Sequence, residues 1–354
     1  MKVGVLTFHW ADNYGAVLQA HGLCQTLNRL GHTVRLINYV LPAERVRWWR
    51  GWGLRGGSPL HALRRLRYDK FRRHHLPLTR PCQTAEDLRA ISVEFDAVIV
   101  GSDQVWNGHM LKFNDAPYFL DFVDVRRCRR ISYAACFGER NQPRQTLEAA
   151  ALMLRDFSSI SVRNEMSADL VRDLSGREVA LVLDPSLLHD YWDVCKPEAK
   201  KSGYIAAYCF SSPADCFAIG QNVMRTARRR LQLPIVAVGP DAMDGHGDSA
   251  IVSAGPSEWL RLLHGASFIC TDSFHGTSFA VKYRKPFITW SGPRPARISS
   301  FLDTCGLRSR LVGSGESFAP EELLETPIDY DAVFERLLPH INTSRTFLEN
   351  ALAP

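Results

Sequence analysis

The stretch "KVGVLTFHWADNYGAVLQAHGLCQTLNRLGHTVRLINYV", residues 2–40, decides the fold. It opens on a short apolar run and breaks into a polar loop over 9–13. Small or apolar residues then recur at 16, 20, 23, 27 and 30, the spacing of one helix face. Gly31 stands where such a helix needs its C-cap. "TVRLINYV" (33–40) reads as a second strand. Strand, helix and strand make a βαβ unit, which implies a parallel sheet flanked by helices.

The alternation continues. Strands are expected at "FDAVIVGS" (95–102), "RRISYAACFG" (129–138), "SSISVR" (158–163) and "EVALVLDPS" (178–186), with helices at 143–156 and 164–174. A second set follows: "YIAAYCF" (204–210), helix 214–231, "PIVAVG" (234–239), helix 256–264, "SFICTDS" (267–273), helix 276–283 and "PFITW" (286–290). The lysine-bearing "CKPEAKKSG" (195–203) separates the sets as a linker. The expected architecture is α/β, two Rossmann-like doubly wound domains facing one cleft. Residues 1–194 form the first domain and 204–329 the second. The last helical stretch, within 330–354, is a candidate to pack back on the first.

A chain of 354 residues suits two such cores. No apolar run approaches the ~18 residues of a membrane span, and "MKVGVLTFHW" lacks the pattern of a secretory signal. The nine cysteines are scattered without a CxxC pair, so neither a disulfide framework nor a zinc site is indicated. A reducing cytoplasm is the expected compartment. The net charge of +6 is uneven: 44–80 holds ten Arg and one Lys against two acids, so it carries +9 and the rest −3. Trp48, Trp49 and Trp52 lie in the same stretch. Basic charge with Trp suits an interfacial anchor or a polyanion groove; a solvated insertion with Trp folded inward is the plainer alternative.

In open α/β sheets, ligands sit beyond the carboxyl ends of the strands, and four ends stand out. At "FHWADNYGA", Asp12 or Asn13 can cap the helix, while His9 and Asn13 together exceed what a cap needs. At "GSDQVWN" (101–107), Ser102, Gln104 and Asn107 offer directional bonds and Trp106 a flat face, the mixture a sugar requires. Asp103 could take a proton from a hydroxyl nucleophile. The alternative there is an Asx turn with Trp106 in the core. Arg163, in "SVRNE" (161–165), suits bidentate capture of carboxylate or phosphate, or an ion pair. In "TDSFHGTSFAVKY" (271–283), Ser273, His275, Gly276 and Thr277 open a helix whose N-terminus attracts anions. His275 can donate as imidazolium or shuttle a proton. Arg294 and Arg297 could add positive charge. No GxGxxG follows the first strand, and no P-loop or GxSxG is present; no metal or cofactor is called for.

Taken in order, "NYGAVLQA", "GSDQVWN", "YAACFG", "SVRNE", "DPSLL" and "DSFHG…KPFI" resemble the polysaccharide pyruvyl transferase family, from about residue 3 to about residue 307. Cys136 replaces a commoner Ser, and 44–80 has no counterpart. The resemblance implies a two-domain fold like that of GT-B glycosyltransferases and phosphoenolpyruvate as donor. It also implies a pyruvate ketal formed on two hydroxyls of a saccharide, with phosphate released, as in bacterial polysaccharide biosynthesis. His275 and Arg163, with Phe274, match the positions that engage the donor. Ser273, Gly276, Thr277 and Arg297 would complete the donor set, with His275 as acid or phosphate ligand and Asp103 as base. His9, Asn13, Ser102, Gln104, Trp106 and Asn107 would serve the acceptor, which could be lipid-linked. Contact of 44–80 with the inner face of the membrane is a separate expectation; nucleic acid is not. The alternatives are a glycosyltransferase of the same shape using a nucleotide sugar, and a non-catalytic sugar- or membrane-binding protein.

Overall fold

The computed structural model describes residues 1–40, 59–111, 116–196, 203–210, 214–239, 247–291, 296–313 and 320–353. The chain forms two units. The first comprises Met1–Gly57, Arg72–His189 and Pro339–Pro354; the second comprises Ser58–Phe71 and Asp190–Leu338. Residues 58–71, expected within the first domain, therefore belong to the second. Most of the linker 195–203 lies outside the described residues, as do Trp48, Trp49, Trp52 and Arg294.

The first unit is built on a parallel sheet of β1 (Lys2–Leu6), β2 (Thr33–Tyr39), β3 (Leu78–Cys82), β4 (Ala97–Val100), β5 (Arg129–Ala135), β6 (Ser159–Val162) and β7 (Ala180–Leu181). Their order is β3-β2-β1-β4-β5-β6-β7, and each neighbouring pair is parallel. Helix α1 (Tyr14–Arg29) connects β1 to β2, and its apolar face is buried through Val17, Leu18, Leu23 and Leu27. Helix α2 (Pro59–His75) precedes β3. The helix lies in the basic run 44–80, expected as an insertion, and β3 begins within it. Helices α3 (Ala85–Ser92), α4 (Arg144–Met153) and α5 (Glu165–Ser175) complete the crossovers. A four-residue sequence such as Ala97–Val100, wholly apolar and wholly buried, is what a central parallel strand requires.

The second unit repeats the plan. Strands β8 (Ile205–Tyr208), β9 (Ile235–Val238), β10 (Ser249–Ile251), β11 (Phe268–Thr271), β12 (Phe287–Trp290) and β13 (Leu311–Val312) run parallel in the order β10-β9-β8-β11-β12-β13. Helices α6 (Ala214–Leu231), α7 (Pro256–Gly265), α8 (Phe274–Lys282) and α9 (Ala296–Cys305) lie between them. The final helix, α10 (Tyr330–Ala351), carries Pro339 in its interior. Its second half belongs to the first unit, where Ser344 Oγ accepts the Leu183 N–H at 2.9 Å. No described helix is long and apolar enough to cross a membrane.

In each sheet the strand order reverses once, at β1/β4 and at β8/β11. Such switch points leave a crevice at the carboxyl ends, where ligands of doubly wound sheets bind.

Candidate functional sites at the two switch points

The first unit's switch point is tightly bonded. Thr7, just past β1, donates to the Ser102 carbonyl just past β4 at 2.8 Å, and Gln19 of α1 donates to Thr7 Oγ1 at 2.8 Å. Ser102 is buried, and its hydroxyl donates to Asp184 Oδ2 at 2.7 Å. The Ser186 N–H donates to the other oxygen of Asp184 at 3.0 Å. Arg163 closes the network, with Nη1 2.8 Å from Asp184 Oδ2 and Nη2 3.6 Å from Asp103 Oδ1. Asp103 has a φ of 84, a conformation that Asp tolerates better than most residues and that turns the chain away from β4. Burial opposes the charge on Arg163, but Cys136, Asp184 and Asp103 outweigh it and raise the guanidinium pKa. The Sγ of Cys136 accepts from the Gly138 amide at 3.2 Å, with Asn164 Nδ2 and Ser167 Oγ at 3.6 and 3.7 Å.

This arrangement corrects several expectations. Trp106 is no sugar platform: it is fully buried, its ring lies 5.5 Å from Phe119 in a stacked pair, and Nε1 donates to the Tyr118 carbonyl. Ser102 holds Asp184 rather than facing a ligand. Asn107 Nδ2 donates to Gln104 Oε1 at 2.7 Å, and its Oδ1 accepts the His109 N–H at 3.1 Å, so both amides shape the turn. Asn13 is the N-cap of α1, accepting the Ala16 N–H at 3.1 Å. His9 is buried between the Thr7 carbonyl, 3.1 Å from Nδ1, and Asn38 Oδ1, 3.3 Å from Nε2. Burial lowers its pKa to about 4, so it is neutral near pH 7. The guanidinium expected on an anion, Arg163, is neutralised by two carboxylates of its own unit.

Arg72 escaped the sequence reading. Its Nε donates to the His9 carbonyl at 2.9 Å, and Nη2 reaches Trp10 O and Ala11 O at 2.8 Å and Asp12 Oδ1 at 2.7 Å. One side chain thus fixes the whole 9–12 loop. In the sequence it is one arginine among ten, and nothing local marks it.

The second unit's switch point is built differently. Ser273 caps α8, accepting the Gly276 N–H at 3.3 Å, and its own N–H donates to Thr271 Oγ1 at 3.1 Å. Thr271 Oγ1 donates in turn to the Tyr208 carbonyl across the β8/β11 junction at 2.5 Å. Gly276 is required there: a Cβ would lie 2.3 Å from Thr271 Oγ1. Thr277 Oγ1 lies 2.9 Å from the Ser273 carbonyl and 3.0 Å from Thr289 Oγ1, so this expected donor ligand is bonded within the fold. His275, second residue of α8, is mostly buried, and its ring is 5.2 Å from that of Phe274. Phe274 meets Phe301 of α9 at 5.8 Å. Arg297 is one turn before Phe301 and so shares its face of α9.

Beside this helix start stands Phe210, just past β8 and 37% exposed. Its amide N–H lies 3.0 Å from both oxygens of Asp272, which follows β11. Its ring packs at 5.4 Å against Tyr208. Phe210, expected within a strand over 204–210, lies past it, because the strand ends at Tyr208. Cys209, between them, is half-buried, whereas the other eight cysteines are buried.

Two parallel doubly wound units of this order define the class: a GT-B-like α/β enzyme fold. UDP-GlcNAc 2-epimerase from Methanocaldococcus jannaschii is similar over 97% of this chain and 93% of its own, at 12% identity and a TM-score of 0.52. The Neisseria meningitidis UDP-GlcNAc 2-epimerase bound to UDP-GlcNAc covers 99% of each chain, at 11% identity and 0.51. Anabaena HepE, in complex with UDP and glucose, covers 100% of this chain and 94% of its own, at 11% and 0.50. At such identities the likeness concerns the fold alone. No curated protein matches the chain in sequence. The model of the polysaccharide pyruvyl transferase family matches residues 13–291. The chain belongs to that family, and is a transferase of polysaccharide biosynthesis.

Proposed function

We propose that the protein transfers the pyruvyl group of phosphoenolpyruvate to two hydroxyls of one saccharide as a cyclic ketal, and that the start of α8 holds the donor. The observation that carries this is the second unit's switch point: a capped helix N-terminus bearing His275, an adjoining helix with Arg297, and an exposed Phe210. Phosphoenolpyruvate is a double anion. The positive end of a helix dipole and a guanidinium on the adjoining helix suit its phosphate and carboxylate.

The reaction needs a proton at C3 as the first hydroxyl oxygen bonds to C2. The methylene becomes a methyl group and the hydroxyl loses its proton. The second hydroxyl oxygen then bonds to C2, its proton is lost, and the C2–O bond to phosphate breaks. In this reading His275 delivers the C3 proton or holds the phosphate. Positive charge preorganised about the leaving phosphate supplies the main lowering of the barrier. Asp103 is a poor choice of base here, since Arg163 and the Gln104 N–H already engage it. Phe210 takes over the sugar-platform role once expected of Trp106.

The test is incubation with phosphoenolpyruvate and a panel of saccharides, free and lipid-linked, following phosphate and product mass together. Phosphate release coupled to an acceptor that gains one pyruvyl group supports the reading. Stabilisation by UDP or GDP, with none by phosphoenolpyruvate, would replace it with nucleotide-sugar transfer.

A further inference from the structure

Helix α2 buries Tyr68 and Phe71 yet leaves its leucines out. Leu60, Leu63 and Leu66 are 42%, 39% and 52% exposed, while Arg64 and Arg72 are buried. The buried arginines have partners: Arg64 lies over the Tyr68 ring at 5.0 Å, and Arg72 grips the 9–12 loop. Arg67 reaches Glu258 Oε2 at 2.6 Å and the Ser253 carbonyl at 3.0 Å. At 100° per residue, Pro59, Leu63, Leu66, Lys70 and Arg73 fall on one stripe about 80° wide, and Leu60 lies about 60° beyond Leu63 on its flank. Leucines occupy its first half and exposed cations, with His74, its second. The helix holds six Arg or Lys against the single acid Asp69.

Folding alone does not explain three exposed leucines one helical turn apart. A leucine face continuous with exposed cations is the composition of a helix lying at a lipid interface. A second copy of the same face would set cations against cations, and charge complementarity selects an anionic surface instead.

We propose that this face of α2 rests on an anionic membrane surface. Leu60, Leu63 and Leu66 enter the headgroup–acyl boundary, and Lys70 and Arg73 meet lipid phosphates. This reading is independent of the donor chemistry and leaves the pyruvyl transfer untouched if it fails.

The test is co-sedimentation of the full chain with phosphatidylglycerol–phosphatidylcholine vesicles and with phosphatidylcholine alone. Binding is expected to the anionic vesicles, falling with added salt. Leu63→Asp with Leu66→Asp should lower the bound fraction about tenfold or more at an unchanged melting temperature. Lys70→Glu with Arg73→Glu should lower binding by about 25-fold or more, because each basic residue near an anionic surface contributes about a fivefold factor. Val93→Asp, at an exposed position off this helix, should change nothing. Absence of binding, or equal loss with Val93→Asp, would overturn the proposal. So would a solution dimer that Leu63→Asp with Leu66→Asp dissociates, since the face would then belong to a second copy.

Discussion

The two switch points use the same topology for opposite ends. At β1/β4 the crevice is bonded across by Thr7, Gln19 and Ser102, and behind it a buried arginine is neutralised by two carboxylates. At β8/β11 the junction is held by Thr271 and Asp272, and the exposed Phe210 ring stands beside a buried helix start. A parallel doubly wound sheet therefore supplies a place for a ligand without obliging each unit to use it in the same way. Charge is the difference: the first switch point encloses an arginine paired with two carboxylates, while the second encloses a capped helix start and an imidazole.

The largest expected effect tests whether the first switch point is structural. Asp184→Asn leaves the Arg163 charge buried with a weakened partner, and should cost about 3–5 kcal/mol of stability in urea denaturation. Lost activity at unchanged stability would instead make the network part of the chemistry, and the contrast would collapse. Next, His275→Gln should lower turnover about 100-fold or more while the denaturation midpoint stays near that of the parent. A matching fall in both would recast His275 as a packing residue.

Acid sharpens the contrast further. His9 has a folded pKa of about 4 and an ordinary one near 6.5 when unfolded. Below pH 6.5 the unfolded chain takes up a proton that the native state refuses. Stability should fall between about pH 6.5 and pH 4, by about 3 kcal/mol in all, and His9→Gln should flatten that slope in melts at pH 7 and pH 5. The smallest effect is Ser273→Ala, which removes the α8 cap and should cost about 1 kcal/mol. A larger loss of donor affinity than of stability would tie the cap to the anion.

The βαβ frame was legible because 2–40 states its period openly, and each wholly apolar strand follows suit. Strand Leu78–Cys82 was not, since "LTRPC" carries Pro and Arg and pairs only along the sheet edge with β2. The site was half legible. Ser273 and Gly276 announced a helix start by local chemistry. The partner of Arg163 lies 21 residues away at Asp184, a pairing that no local pattern reveals. Trp106 and Phe210 show the same limit from two sides. Both are aromatic residues past a strand end, and only the packing around them makes one a core residue and the other a surface.

The sulfur content has a practical consequence. Eight thiols are buried; Cys209 is half-buried, and its Sγ donates to the Cys270 carbonyl and packs on the second unit's core. Burial, reinforced by the Asp272 charge, pushes its pKa well up, so maleimide should couple slowly at neutral pH and faster in alkali. Shielding of that reaction by phosphoenolpyruvate would report occupancy at the second switch point without any turnover.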